Sequence, residues 1–279
     1  MGTIRKRKLK IKKKNFTIFL ICLILITLGI VKGVNQIIKI VQSPKEIKEE
    51  KKTNNSTDNN KVKDERLNKL NNVDKKIDYF NYDYVDRYIS YKEKNKDIDD
   101  IQIVKDVNMN VDKNQYENPT EATKLNENII LVNKFHYLKK DYIPKNLEEI
   151  NKNYALSGMK LVNYAKEAFE ELAKDAKKEK LNIVAMSTYR SYDYQVDLYN
   201  RYVKSDGKEA ADTYSGRPGH SEHQTGLAVD VFNNNETYTN FEKTKEFEWM
   251  QEHAHEYGFI LRFPKDKEKE TGYQYESWH

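Results

Sequence analysis

The sequence predicts an α+β fold, because helix-like and strand-like segments are mixed along the chain without a regular βαβ repeat. Apolar residues recur at three- and four-residue steps over residues 158–178, which predicts a helix with one buried face. Residues 227–232 place Leu, Val and Val on one face and Ala and Asp on the other, which predicts a strand. Further helices are predicted over residues 98–107, 193–204 and 243–256, and further strands over 129–132, 183–186, 259–263 and 273–279.

The N-terminus carries the strongest charge and hydropathy signals. The first fifteen residues hold eight Lys or Arg and no acid, so the rest of the chain is mildly acidic although the net charge is +5. Residues 16–31 carry no charge and would span roughly 24 Å as a helix, and extension to residue 34 approaches the thickness of a bilayer core. We expect residues 1–15 to form a basic cytoplasmic tail and residues 16–34 a transmembrane anchor.

A cleaved signal peptide is the alternative interpretation of this segment. No small-x-small cleavage site follows the apolar run, which favours an uncleaved anchor. Because the basic tail directly precedes an apolar run, the sequence favours a membrane partner over nucleic acid. Cys22 is the only cysteine and lies within that run, so the expected external part forms no disulfide.

The remaining chain divides by composition into three parts. Residues 35–76 are mostly charged or polar and predict a flexible spacer. Residues 77–126 carry scattered Tyr and Ile and predict an N-terminal arm that packs on the main domain. Residues 127–279 contain the clearest helices and strands and form the predicted main domain. The expected localisation is a single-pass membrane protein of a Gram-positive-like bacterium, with this domain outside the cell.

Two short stretches predict a metal site. His223 and Asp230 are separated by six residues, and the final residues contain the pair Glu276-x-x-His279. Two imidazoles and one carboxylate suit a catalytic zinc ion with a fourth position for water. Glu276 beside the last ligand is where a general base would lie, so the pattern predicts a hydrolase. A turn after Glu276 is predicted, because an extended chain would point Glu276 and His279 to opposite faces.

The other histidines are weaker candidates. His220 competes with His223 as a ligand, but its position after Pro-Gly suits a loop contact. His253 and His255 are two apart on a predicted helix and do not share a face. With His136, in a predicted loop, they are interpreted as structural or solvated.

Three stretches carry a family resemblance: Ser187-Thr-Tyr-Arg-Ser-Tyr-Asp-Tyr-Gln195, Ser221-Glu-His-Gln-Thr-Gly-Leu-Ala-Val-Asp230 and Glu276-Ser-Trp-His279. They resemble the zinc D-alanyl-D-alanine carboxypeptidases and dipeptidases of the VanY/VanX type, in the M15B-like branch of metallopeptidase family M15. The resemblance covers about residues 127–279 and implies a Hedgehog/DD-peptidase-like fold, in which we expect a central antiparallel sheet flanked by helices.

The resemblance also implies a role for each motif residue. His223, Asp230 and His279 would bind one zinc ion, and Glu276 would be the catalytic base. Arg190 would face the carbonyl or carboxylate of the substrate. Two further residues, Ser221 and Gln195, would shape the substrate pocket. The family chain usually continues beyond this histidine, so the sequence leaves open a truncated product or a weakened metal site.

These observations predict an outward-facing zinc carboxypeptidase that removes a terminal D-alanine from peptidoglycan stem peptides, most readily from D-Ala-D-Ala ends. An L,D-carboxypeptidase or an endopeptidase with the same zinc site is the nearest alternative. A non-catalytic, zinc-stabilised cell-wall binding module is the alternative from another class. No obligate protein partner is evident from the sequence.

Overall fold

The computed structural model of the chain describes residues 65–125 and 127–279. The predicted basic tail, the predicted anchor at residues 16–34 and the predicted spacer up to residue 64 lie outside the described residues. Within the described residues, no helix is long and apolar enough to cross a membrane.

The arm is a small helical unit with its own core. Helices α1 (Val85–Lys94) and α2 (Asp100–Asn108) pack together, and the Asp99 side chain caps α2 by accepting from two backbone amides. The helix expected over 98–107 is thus confirmed. Residues 65–69 are also helical, so ordered structure begins before the predicted boundary at residue 77. The reason is apolar burial, which extends over Leu67, Leu70, Val73, Val85, Tyr88, Ile103, Val104 and Val107.

Two contacts tie the arm to the C-terminal part of the main domain. Asp106 is 1% exposed, and its Oδ2 lies 2.9 Å from Nζ of Lys269. Nζ of Lys134 donates to Gln115 Oε1 at 2.8 Å and lies 4.6 Å from the centroid of the Tyr273 ring. A short parallel pair, β1 (Thr120–Glu121) with β2 (His136–Tyr137), continues this connection.

The main domain begins with a hairpin and a long helix. Strands β3 (Leu147–Glu149) and β4 (Lys160–Val162) pair antiparallel, and α3 (Asn163–Lys178) follows directly. The helix expected from residue 158 therefore starts at residue 163. The apolar pattern before that point belongs to β4, whose Leu161 and Val162 are buried in the hairpin.

The site is built on the next pair of strands. Strands β5 (Val184–Ser187) and β6 (Asp230–Phe232) pair antiparallel, with a bulge between Ala185 and Ser187 that sets Ser187 opposite Asp230. Four helices complete the domain: α4 (Tyr192–Asp206), α5 (Lys208–Tyr214), α6 (Lys245–His253) and α7 (Glu268–Thr271).

The α+β class is confirmed, but a single central sheet is wrong for the described residues. They form three separate two-stranded sheets. Residues 259–263 and 273–279 meet in one bridge, between Phe263 and Glu276, and residues 129–132 form no strand. Pairing stops because α7 and a turn at residues 277–278 interrupt the extended backbone on either side of that bridge.

The main core lies between α3, the β5–β6 pair and α6. Val229 and Val231 point into this core, as the strand alternation predicts. Burial therefore fixes which face of β6 is left for Asp230. The other large members of the cluster are Ile150, Leu161, Phe169, Leu172, Ile183, Phe241, Phe247 and Trp249.

The buried Lys134 predicts a pH dependence of stability. Burial is the main cause that lowers its pKa, to about 8, whereas an unfolded lysine titrates near 10.4. Between these values the unfolded chain binds more protons than the folded protein, so stability gains from this residue as pH rises. Relative to Lys134→Met, the wild type should gain on the order of 3 kcal/mol between pH 8 and pH 10.5 in urea unfolding. An equal pH dependence in the two proteins would contradict the prediction.

Candidate metal centre

His223 and Asp230 are positioned by a tight turn and a strand end. His223 lies in a 3-10 turn (Glu222–Thr225), and Asp230 is the first residue of β6. Between them Gly226 has φ 72°, and a Cβ there would come within 3.0 Å of side chains of Leu147 and Val162. Only glycine accommodates both the left-handed conformation and this close approach. The turn directs His223 back toward Asp230, whose Oδ2 lies 3.2 Å from Nε2 of the histidine.

The C-terminal segment brings the second pair to the same place. The backbone N–H of Val231 donates to the carbonyl of Trp278, and that of Glu276 donates to the carbonyl of Phe263. The turn expected after Glu276 is present at residues 277–278 and returns His279 toward the carboxylate of Asp230. The four residues singled out from the two motifs therefore converge.

The three candidate ligands form a compact group. Their ligand atoms lie within 4.8 Å of one another. Asp230 is the centre of the group: its Oδ2 is 3.2 Å from Nε2 of His223, and its Oδ1 is 3.1 Å from Nδ1 of His279. Among the described residues this is the one group of three or more His, Cys, Asp or Glu side chains with such spacing.

Hydrogen bonding leaves His223 with a free ligand nitrogen. Its Nδ1 lies 2.7 Å from the carbonyl oxygen of Thr188, which can only accept, so Nδ1 carries the proton. Its Nε2 is buried and makes no well-formed hydrogen bond with the described residues. Burial lowers the pKa of His223, which favours the neutral imidazole that a metal requires.

The surroundings of the group favour a cation. Burial opposes ionisation of Asp230, yet His223 and His279 hold the pKa of that carboxyl well below its usual range. Burial also disfavours a charge on His279, but Asp230 and Glu222 raise the pKa of its imidazole to about 10. With Asp230 Oδ1 and His223 Nε2 buried and without well-formed hydrogen bonds, the residues fit a divalent metal ion.

Glu276 lies next to the three candidate ligands but is not one of them. Its Oε2 is 3.5 Å from Nδ1 of His279, and the residue is 7% exposed. Burial is the largest cause that raises the pKa of Glu276, to about 7, and the Asp230 charge adds to it. A carboxyl with such a pKa can take up and release a proton near neutral pH.

Arg190 lies beside Asp230. Its backbone N–H donates to the carbonyl of His223, and its Nη1 donates to Oγ of Ser187 at 3.1 Å. The same Nη1 is 3.8 Å from Asp230 Oδ2, too long for a direct hydrogen bond. Buried Nε has no hydrogen-bond partner among the described residues. The guanidinium is therefore held at the site with donors available to a ligand.

Of the two predicted pocket residues, only one reaches the cleft. Ser221 lines a cleft of about 500 Å³. The three candidate ligands and Arg190 line the same cleft. Gln195 is 2% exposed and donates from Nε2 to the carbonyl of Gly216 at 2.7 Å. Gln195 lies on the buried face of α4. It therefore supports the backbone of the cleft wall at Gly216 and does not line the cleft itself.

The remaining histidines do not belong to the group formed by His223, Asp230 and His279. Nδ1 of His220 is 2.8 Å from the carbonyl of Asn133, and its ring packs edge-on against Tyr116. His136 contacts Asn133, and His253 contacts Glu256. The preference for His223 over His220 agrees with this geometry.

Sequence reasoning missed two residues that hydrogen-bond to the candidate ligands. Thr188 acts through its backbone carbonyl, which leaves no trace in residue type. Glu222 precedes His223 and accepts from the ring of His279, 57 residues away. Its acidic character beside a candidate ligand was the available signal.

The comparisons with known proteins agree with this geometry. Residues 158–279 match the family model VanY, described as D-alanyl-D-alanine carboxypeptidase. A D-alanyl-D-alanine carboxypeptidase of Enterococcus faecium is 30% identical over 213 residues, which cover 72% of this chain and 67% of that protein. The chain belongs to the VanY family of D-alanyl-D-alanine carboxypeptidases, and the resemblance expected from the motifs is confirmed.

Two further relatives match shorter parts. YodJ of Bacillus subtilis (strain 168), which carries a provisional carboxypeptidase name, is 39% identical over 167 residues. That match covers 55% of this chain, and the chain spans 59% of the length of YodJ. A solved structure of the LdcB LD-carboxypeptidase matches with a TM-score of 0.54 and 34% identity, over 58% of this chain and 78% of that chain.

Proposed function

We propose that the protein is a zinc carboxypeptidase that removes the terminal D-alanine from peptidoglycan stem peptides. The observation that carries the proposal is the convergence of His223, Asp230 and His279 with Glu276 in one cleft. Membership in the VanY family supports D-Ala-D-Ala ends as the substrate. One zinc ion per domain suits two imidazoles and one carboxylate.

Glu276 serves as the general base in this proposal. A bound zinc ion would polarise the scissile carbonyl and lower the pKa of the attacking water. Glu276 takes the proton of that water and passes it to the leaving amine. Its buried position and a pKa near 7 suit both proton transfers.

Arg190 and the cleft wall orient the peptide. The guanidinium of Arg190 donates to the substrate carboxylate or to the oxygen that gains negative charge during attack. Ser221 offers a hydroxyl group within the cleft. Gln195 does not line the cleft, but it fixes the backbone at Gly216, which does.

The variant Glu276→Gln tests the assignment of the base. The amide keeps the shape of the side chain but cannot accept a proton, so kcat should fall by about 10²–10⁴-fold. Zinc content, measured by atomic absorption on the purified domain, should stay near one per chain. A variant that retains wild-type turnover of stem peptides would rule out Glu276 as the base.

An L,D-carboxypeptidase is the second candidate, and similarity to LdcB supports it. That structure is named for LD-carboxypeptidase activity and is 34% identical to this chain. The two activities share the catalytic group and differ in the residue before the scissile bond. Specificity then depends on walls such as α5 and the segment up to Gly216.

Product masses from two stem peptides separate these activities. The purified domain should shorten a pentapeptide ending in D-Ala-D-Ala by one alanine under the leading proposal. Loss of alanine from the tetrapeptide alone would assign the L,D activity instead. Cleavage inside the stem would indicate an endopeptidase, and bound zinc without any turnover would indicate a binding module.

We further propose that residues 16–34 anchor the protein in the membrane, with residues 1–15 in the cytoplasm and the catalytic domain outside. The uncharged run and its basic flank support this arrangement. The full chain should then fractionate with membranes and be degraded by protease added to intact wall-less cells. Protection from that protease would contradict the orientation.

A further inference from the structure

The ring of His279 is held by a side chain that belongs to neither the ligand set nor the base. Its Nε2 lies 3.2 Å from Oε2 of Glu222. The other carboxylate oxygen of Glu222 accepts from Nε of Arg262 at 2.6 Å. Both side chains are largely covered, with 17% of Glu222 and 27% of Arg262 exposed.

Arg262 also contacts the backbone of His279. Its backbone N–H donates to the carbonyl of His279 at 3.1 Å. The contacts therefore form a closed loop, from Arg262 to Glu222, from Glu222 to the His279 ring, and from the His279 backbone to Arg262. Because three separate segments of the chain meet here, the loop fixes both the position and the rotation of the ring.

The loop also determines which ring nitrogen faces the metal group. A carboxylate paired with a guanidinium is ionised and can only accept, so Nε2 of His279 carries a proton. In the neutral ring that a metal would require, the lone pair is then on Nδ1. That nitrogen is the one 3.1 Å from Asp230 Oδ1 and 3.5 Å from Glu276 Oε2.

We propose that Glu222 and Arg262 are positioning residues that hold His279 in the Nε2-protonated form with Nδ1 directed at the metal. The proposal rests on the proposed function only in that the metal group binds zinc. Hydrogen bonds from metal-binding histidines to carboxylates commonly fix the tautomer and strengthen the ligand.

The two histidine ligands differ in how they are held. His223 is oriented by the backbone carbonyl of Thr188, which substitution of side chains leaves in place. His279 depends on the side chains of Glu222 and Arg262. Loss of the pair should therefore disturb one ligand and leave the other, so zinc binding should weaken without being abolished.

The experiment measures zinc affinity by competition with a chromogenic chelator, on folded protein. Glu222→Ala and Arg262→Ala should each weaken zinc binding by about 10–100-fold. Glu222→Gln keeps an acceptor oxygen and should recover part of that loss. Glu148→Gln is the matched control, because it removes a carboxylate that pairs with Lys166 at 2.7 Å, away from the site.

Long-range ¹H–¹⁵N spectra of the zinc-loaded protein give a readout independent of activity. The wild type should show one imidazole bound through Nε2 and one through Nδ1. In Glu222→Ala the signals of the Nδ1-bound imidazole should broaden or show zinc bound through Nε2 instead. The signals of the other imidazole should be unchanged. Arg262→Lys keeps the charge and provides a variant for measurement if Arg262→Ala does not fold.

Wild-type affinity and an unchanged spectrum in Glu222→Ala would overturn the proposal, even if the melting temperature fell. A lower melting temperature alone would mean that the pair only stabilises the fold. Failure of the wild type to bind zinc would overturn the metal site as well. Bound zinc weakened in the variants, without turnover of any stem peptide, would overturn only the proposed activity.

Discussion

The buried carboxylate of Asp230 is the constraint on which the site depends. A charged group that is 6% exposed is costly unless partners compensate it. His223 and His279 supply that compensation from two distant parts of the chain. Their approach to one carboxylate leaves ligand atoms facing a common point, which is the property that a divalent cation can use.

The backbone around Asp230 follows from this requirement. The bulge in β5 sets Ser187 opposite Asp230 in the strand pair, and the left-handed Gly226 brings His223 next to its carboxylate. The final residues reach it because β6 and Arg262 bind their backbone. Short, irregular strands are the consequence, since a long regular sheet would not bring a turn, a strand end and a terminal segment to one point.

An ion pair in which only the acid is buried also contacts this C-terminal segment. Asp106 of the arm pairs with Lys269, seven residues before Glu276. The Tyr273 ring lies against Lys134, and its hydroxyl is 3.4 Å from that of Tyr116. The arm therefore packs against the stretch that leads to Glu276 and His279. This gives the arm a structural role in the domain that its composition alone does not reveal.

The sequence by itself determined the α+β class, the main helices and the candidates for the metal ligands and the base. These depend on local periodicity and on motifs whose members are close in the chain, such as His223 and Asp230. The extent of the sheets, the inward turn of Gln195 and the tie between Glu222 and His279 were decided only by the tertiary structure. A hydrogen bond between residues 57 positions apart leaves no periodic trace, and a backbone carbonyl such as that of Thr188 leaves no trace in residue type.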